Sequence, residues 1–125
     1  MKVLVVDDER DVEPLFRQRF RREIKSGELD LVFAFSGEEA LESLQHELSD
    51  VVLVLSDINM PGMDGIQLLR HIKAVPPPIP VCMMTAYGSD EYRAKAEQAG
   101  CDGYLTKPVD FDDLRSRIAE LQRED

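Results

Sequence analysis

Five short runs rich in Val, Leu and Ile, separated by segments whose apolar residues recur at helical spacing, limit what this chain can fold into. The runs are Val3-Leu4-Val5-Val6, Leu31-Val32-Phe33-Ala34-Phe35, Val51-Val52-Leu53-Val54-Leu55-Ser56, Ile79-Pro80-Val81-Cys82-Met83-Met84 and Gly103-Tyr104-Leu105. Such runs alternating with helical periods are the βαβ signature of a mostly parallel sheet covered by helices on both faces, an α/β doubly wound fold. The pattern predicts strands at about 2–7, 31–35, 51–56, 79–84 and 102–105. In such sheets ligands bind at the carboxyl ends of the strands, so residues far apart in sequence meet in one crevice. Asp7, Asp8, Asp57, Thr85 and Lys107 all stand where a run gives out.

Five helices fill the gaps. The first is expected from Asp11 to Lys25, with Val12, Leu15, Phe16 and Phe20 facing the core, Pro14 tolerated in its first turn and a stop before Gly27. Ser36 and Glu39 form a capping-box pattern ahead of the stripe Ala40, Leu41 and Leu44. A third helix begins near Asp64-Gly65, buries Ile66, Leu69 and Ile72, and gives way before Pro76-Pro77-Pro78. The fourth covers about Asp90 to Ala99 and ends at Gly100, and Val109-Asp110-Phe111 leads into a fifth with Leu114, Ile118 and Leu121 inward.

A length of 125 residues suits one domain, expected to span residues 1–125. The net charge of −10, from 25 acidic against 15 basic residues, opposes binding of nucleic acid or an anionic membrane by the domain itself. Cys82 and Cys101 have neither metal-ligand spacing nor the density of a disulfide scaffold, which fits a reducing cytoplasm. No signal-peptide pattern opens the chain, and no apolar stretch is long enough to span a bilayer.

Taken singly, the strand-end residues have bland readings. Asp7 and Asp8 suit a helix cap, Asp57 a solvated turn, Thr85 a strand end, and Tyr104 packing at the edge of the core. Together they mean more. With the first and third strands adjacent, three carboxylates meet, and each close pair repels by on the order of 4 kcal/mol at 4 Å and an effective dielectric near 20. Lys107 and a divalent cation are the two ways to offset that charge. An all-oxygen donor set without His or Cys favours a hard ion, Mg²⁺ over Zn²⁺. A carboxylate nucleophile, a cation and a fixed ammonium are the parts of phosphoryl transfer to Asp. His46 and His71 fall on polar helix faces and receive no role.

The acidic pair Asp7-Asp8 followed by Glu9, the stretch Ser56-Asp57-Ile58-Asn59-Met60-Pro61-Gly62-Met63-Asp64-Gly65, then Thr85-Ala86 and Tyr104-Leu105-Thr106-Lys107-Pro108 resemble the response-regulator receiver domain over Lys2 to about Leu121. The resemblance implies the flavodoxin-like fold, five parallel strands in the order 2-1-3-4-5. It implies that Asp57 is the phosphoacceptor, taking phosphate from a phosphohistidine of a sensor histidine kinase or histidine phosphotransfer protein. It further implies Mg²⁺, with Mn²⁺ able to substitute, on the side chains of Asp8 and Asp57 and the backbone carbonyl of Asn59, with Asp7 acting through a coordinated water. Lys107 would pair with the phosphoryl group, Lys107–Pro108 would be a cis bond, and Thr85 and Tyr104 would be the switch pair. The output face would be helix four, the fifth strand and helix five, open to a protein target or a second copy, with Tyr92, Lys95 and Arg115 as an aromatic and basic patch around Tyr104.

The polar link 25–30 and the proline run are departures that do not touch the site, and Asn59 and Tyr87 occupy positions that tune acyl-phosphate lifetime in the family. Three alternative readings compete. A flavin-dependent electron carrier on the same topology needs a Ser/Thr/Gly-rich phosphate loop after the first strand, where this chain has acids. A nucleotide-binding enzyme lacks its glycine-rich fingerprint here. A receiver-like module that docks without phosphorylation is opposed by the intact Asp8, Asp57, Thr85 and Lys107. The chain is expected to be either a stand-alone regulator or the receiver piece of a longer protein.

Overall fold

The computed structural model describes residues 1–46, 50–76, 78–86 and 90–123. Tyr87, Gly88 and Pro77 lie outside the described residues, as does the side chain of His46. The strands are β1 (Lys2–Val6), β2 (Asp30–Ala34), β3 (Val51–Asp57), β4 (Val81–Thr85) and β5 (Gly103–Thr106). All pairings are parallel and the order is β2-β1-β3-β4-β5, the flavodoxin-like arrangement expected. Strand order reverses at the β1/β3 boundary, which places the ligand crevice beyond the carboxyl ends of these two strands. The expected strand ends shift by one or two residues. β4 starts at Val81 rather than 79 because Pro80 has no N–H for the ladder, although its carbonyl still accepts from the Val54 N–H at 3.0 Å.

The helices are α1 (Val12–Arg19), α2 (Arg21–Ser26), α3 (Gly37–His46), α4 (Gly65–Lys73), α5 (Asp90–Gln98) and α6 (Phe111–Arg123). The single first helix expected from the sequence is thus two. Phe20 sits at φ −106°, ψ 22° between them. The Arg115 guanidinium explains the kink, because Nη2 donates to the Arg19 carbonyl at 2.8 Å and occupies an acceptor the helical ladder would use. Nε of the same side chain reaches Glu23 at 3.1 Å, and its charge lies over the Phe20 ring. Arg115 therefore braces α6 against α1 and α2. It does not join the patch around Tyr104 that the sequence placed it in; Arg93 stands there instead, 5.5 Å from the Tyr104 ring centre.

Each face of the sheet has its own core. Leu4, Val6, Val54, Val81 and Met83 pack with Ala40 of α3, Leu68, Leu69 and Ile72 of α4, and Ala96 of α5. Val3, Val5, Leu53, Leu55 and Met84 pack on the other side with Phe16, Phe20, Leu114 and Ile118 of the α1/α2/α6 layer. Phe16 and Phe111 meet edge to face at 5.1 Å. Leu15, expected inward, is 43% exposed. It lies at the edge of the α1 stripe, on an open cleft of about 620 Å³ between α1 and the start of α6 that also reaches Asp7 and Lys107.

Helix ends are fixed by short polar side chains. The Glu39 N–H donates to Ser36 Oγ at 3.0 Å, half of the expected capping box. A complete box occurs at α4, where Asp64 and Gln67 each accept the other's backbone N–H. Asp110 accepts from the N–H groups of Asp112 and Asp113 at the start of α6. Among the described residues no helix is long and apolar enough to cross a membrane.

Candidate functional site

Register brings the acids together. Val6 pairs with Ser56, so one step further along the strands sets Asp7 beside Asp57, the last residue of β3. The Asp7 N–H is held by the Ala34 carbonyl of the neighbouring β2 at 3.1 Å. Asp7 is 1% and Asp57 7% exposed, whereas Asp8 faces solvent. Carboxylate oxygens of Asp7, Asp8 and Asp57 lie within 4.8 Å of one another. A Cβ added to Gly65 would stand 2.1 Å from the Asp57 carbonyl oxygen, so only glycine lets α4 start this close behind the acceptor strand.

Lys107 enters from the other end of the chain. Its N–H donates to the Thr85 carbonyl at 2.7 Å, which ties the loop after β5 to the end of β4. The Lys107–Pro108 peptide is cis. Lys107 Nζ donates to Asp7 Oδ2 at 2.7 Å and lies 3.6 Å from Asp57 Oδ2. Burial pulls the Lys107 pKa down, but the hydrogen bond to Asp7 and the charges of Asp57, Asp7 and Glu9 outweigh it and raise the value. Asp57 moves the opposite way for an acid that faces a lysine. Burial pushes its pKa up to about 6 against the pull of Lys107, with Asp7 adding to the rise, the Ile58 N–H opposing it and Asp8 adding further.

Among the described residues Lys107 is the ammonium paired with this cluster of three carboxylates, and it lies closer to Asp7 than to Asp57. The uncompensated charge, the all-oxygen donors and the raised Asp57 pKa fit a hard divalent cation at this point. Asn59 follows two residues after Asp57, in the turn that leads to α4. Asp7 and Asp8 put negative charge in the loop after β1, where a flavin carrier needs a Ser/Thr/Gly-rich phosphate loop.

Thr85 is fully buried at the end of β4, in register with Thr106 of β5 and next to the Asp57–Met84 pair. Tyr104, in register with Met83, has a hydroxyl that is buried and, among the described residues, has no hydrogen-bond partner. Burial raises its pKa. Thr85 and Tyr104 therefore lie on adjacent strands between the acids and the surface of α5 and β5. His71 is exposed on α4, away from these groups.

The sequence reading passed over two features beside the site. The Asp64/Gln67 box was open to it as a D-x-x-Q pattern ahead of an apolar helix. Glu38, which bonds a backbone N–H in the turn after Asp57, carried no local signal, because its partner is 25 residues away.

The model of the response regulator receiver domain family matches residues 3–119. The chain belongs to this family. The receiver is 45% identical over 89 residues to the transcriptional regulatory protein ZraR of Escherichia coli K12, covering 71% of this chain and 20% of that protein. It is 34% identical over 122 residues to the transcriptional regulatory protein PrrA of Mycobacterium tuberculosis, covering 98% of this chain and 50% of the relative. It thus spans a fifth to a half of the length of these relatives. The receiver domain of a Francisella response regulator superposes with a TM-score of 0.84 at 31% identity, over 98% of this chain and 97% of the other. Family and fold together identify a receiver domain of two-component systems, with an acidic cluster at the carboxyl edge of its sheet.

Proposed function

We propose that this receiver accepts a phosphoryl group on Asp57 from the phosphohistidine of a sensor histidine kinase or a histidine phosphotransfer protein. The observation that carries the reading is the convergence of Asp7, Asp8 and Asp57 within 4.8 Å, with Lys107 Nζ at 2.7 and 3.6 Å from two of them. Asp7, Asp8, Asp57 and the Asn59 backbone carbonyl would hold Mg²⁺, or Mn²⁺ in its place, Asp7 through a bound water. When bound, the cation supplies positive charge to the phosphoryl oxygens as they develop charge in transfer.

The remaining work falls to the chain itself. A carboxylate oxygen of Asp57 forms the O–P bond as the P–N bond to the donor imidazole breaks, and the electron pair leaves with the ring nitrogen. Lys107, locked by Asp7 and by the Thr85 carbonyl, receives charge on a phosphoryl oxygen. Burial of Asp7 and Asp57 keeps these interactions in a medium where each is stronger than in water. Incubation with acetyl phosphate or phosphoramidate and Mg²⁺ is expected to add one base-labile phosphoryl group, read by intact mass. Failure of the parent protein to label with either donor would count against the whole reading.

The output proposed is contact with a protein target or a second copy through α5, β5 and α6, with no nucleic acid held by this domain. Lys95 lies 5.8 Å from the Tyr92 ring centre and Arg93 covers Tyr104, so the face offers rings and cations together. Thr85 and Tyr104 connect it to the acids. Coupling of about 1–3 kcal/mol is enough for useful control. Thr85→Ala is expected to take up phosphate while losing the amide shifts of α5 and β5 that phosphorylation induces in the parent NMR spectrum. Equal shifts in both proteins would remove Thr85 from the switch.

A further inference from the structure

We propose that Glu38 is a positioning residue for the acceptor site: its carboxylate fixes the turn after Asp57, and through that turn the Asn59 carbonyl. The inference rests on the metal-assisted acceptor reading above and extends it to a side chain on the far side of the turn. Glu38 Oε1 accepts the Met63 N–H at 2.7 Å, a short charge-assisted bond between the first turn of α3 and the segment joining β3 to α4. Among the described residues it is the only side-chain hydrogen bond made to the backbone of 59–63.

The two segments are fitted to each other. Gly37 has no side chain where Met63 comes closest, since a Cβ there would meet Met63 Cβ and Cγ at 3.0 Å and its carbonyl oxygen at 3.1 Å. Gly62 turns the chain with φ +75°, and a Cβ on it would lie 3.2 Å from Glu38 Oε1. Both ends of the turn are secured separately, by the Gly65 N–H on the Ile58 carbonyl at 2.8 Å and by the Asp64/Gln67 box. Its middle depends on Glu38 and on the burial of Met60. Asn59 lies between Asp57, which the strand holds, and this middle.

Glu39 supplies the control. It is also exposed and in the first turn of α3, so it has the same favourable relation to the helix dipole, yet among the described residues its carboxylate makes no hydrogen bond to the turn. A role limited to helix stability would make the two residues equivalent. Groups that orient metal ligands typically change metal affinity by about tenfold or more when removed.

The test is Mg²⁺ affinity of the parent, Glu38→Ala, Glu38→Gln and Glu39→Ala proteins, by titration calorimetry and by amide shifts in NMR, with unfolding midpoints recorded beside them. Glu38→Ala is expected to bind Mg²⁺ about tenfold more weakly than the parent, Glu38→Gln to fall between the two because it keeps an acceptor oxygen, and Glu39→Ala to match the parent. Parent-like affinity in both folded Glu38 variants would overturn the positioning role and leave the acceptor reading intact. Equal weakening by Glu39→Ala would overturn it as well, by assigning the effect to the helix terminus. A parent protein that binds no Mg²⁺ would overturn both readings together.

Discussion

Asp57→Asn is expected to abolish phosphoryl uptake, with labelling from acetyl phosphate and Mg²⁺ falling at least about 100-fold below the parent. The amide has nearly the shape of the carboxylate and so leaves the end of β3 in place, but it has no anionic oxygen to attack phosphorus. Neighbouring acids offer no substitute. Asp7 is buried and has both oxygens engaged, one by the Glu9 N–H at 3.0 Å and the other by Lys107 at 2.7 Å. Asp8 is exposed, so its carboxylate lacks the burial that surrounds Asp57, and in the proposed site it is committed to the cation. Asp8→Asn, by contrast, keeps the nucleophile and is expected to slow labelling most at low Mg²⁺, with partial recovery as Mg²⁺ rises. Intact mass after timed incubation, with a base-treated control, separates the two variants. Full labelling of Asp57→Asn at the parent rate would place the phosphate elsewhere.

The strand-end acids were legible because parallel strands impose a simple geometry. Once Val3–Val6 and Val51–Ser56 are read as neighbours, the residue after each must face the same crevice, and Asp7 and Asp57 are those residues. The same logic located Thr85 and Lys107, which the structure links through a backbone hydrogen bond of 2.7 Å. A local signal also carried the helix that begins at Gly37, since Ser36 before it accepts a backbone N–H, while the helices at Gly65 and Phe111 were legible from their apolar spacing.

Interactions between distant residues were not legible. Periodicity gave one helix over 11–25 because Val12, Phe16 and Phe20 keep a helical spacing across the kink, and the agent of the kink, Arg115, is nearly a hundred residues away. Its charge and spacing in α6 suit the output face as well as the α1/α2 face, and only packing decides between them. The Glu38–Met63 bond is the same kind of case. A glutamate in the first turn of a helix satisfies the macrodipole wherever its carboxylate points, so the sequence offers no reason to look further.

Without metal, the receiver is expected to lose stability as pH rises from about 4 to about 7, and Asp57 is the main reason. Its pKa of about 6 in the folded chain stands above the 3.8 of an ordinary Asp, so between those values the folded state holds the proton more tightly than the unfolded state does. Stability attached to that proton is present at low pH and is lost as pH passes through the folded value, on the order of 3 kcal/mol in all. Lys107 does not alter this window. Its raised value means that its contribution persists below its ordinary pKa and fades only in alkaline solution. Asp57→Asn has no carboxylate to ionise, and is therefore expected to be about 1–3 kcal/mol more stable than the metal-free parent at pH 8 while differing little from it near pH 4. Mg²⁺ at a hundred times its dissociation constant should restore about 2.7 kcal/mol to the parent at pH 8. The gain should shrink at pH 5, where protons compete for Asp57, and should be weaker in Asp57→Asn, which has lost one ligand charge. Urea unfolding at pH 4, 6 and 8, with and without Mg²⁺, measures all of these differences. Coincident curves for parent and Asp57→Asn at pH 8 without metal would show that the buried acid bears no such strain, and coincident parent curves with and without millimolar Mg²⁺ would remove the cation from the site.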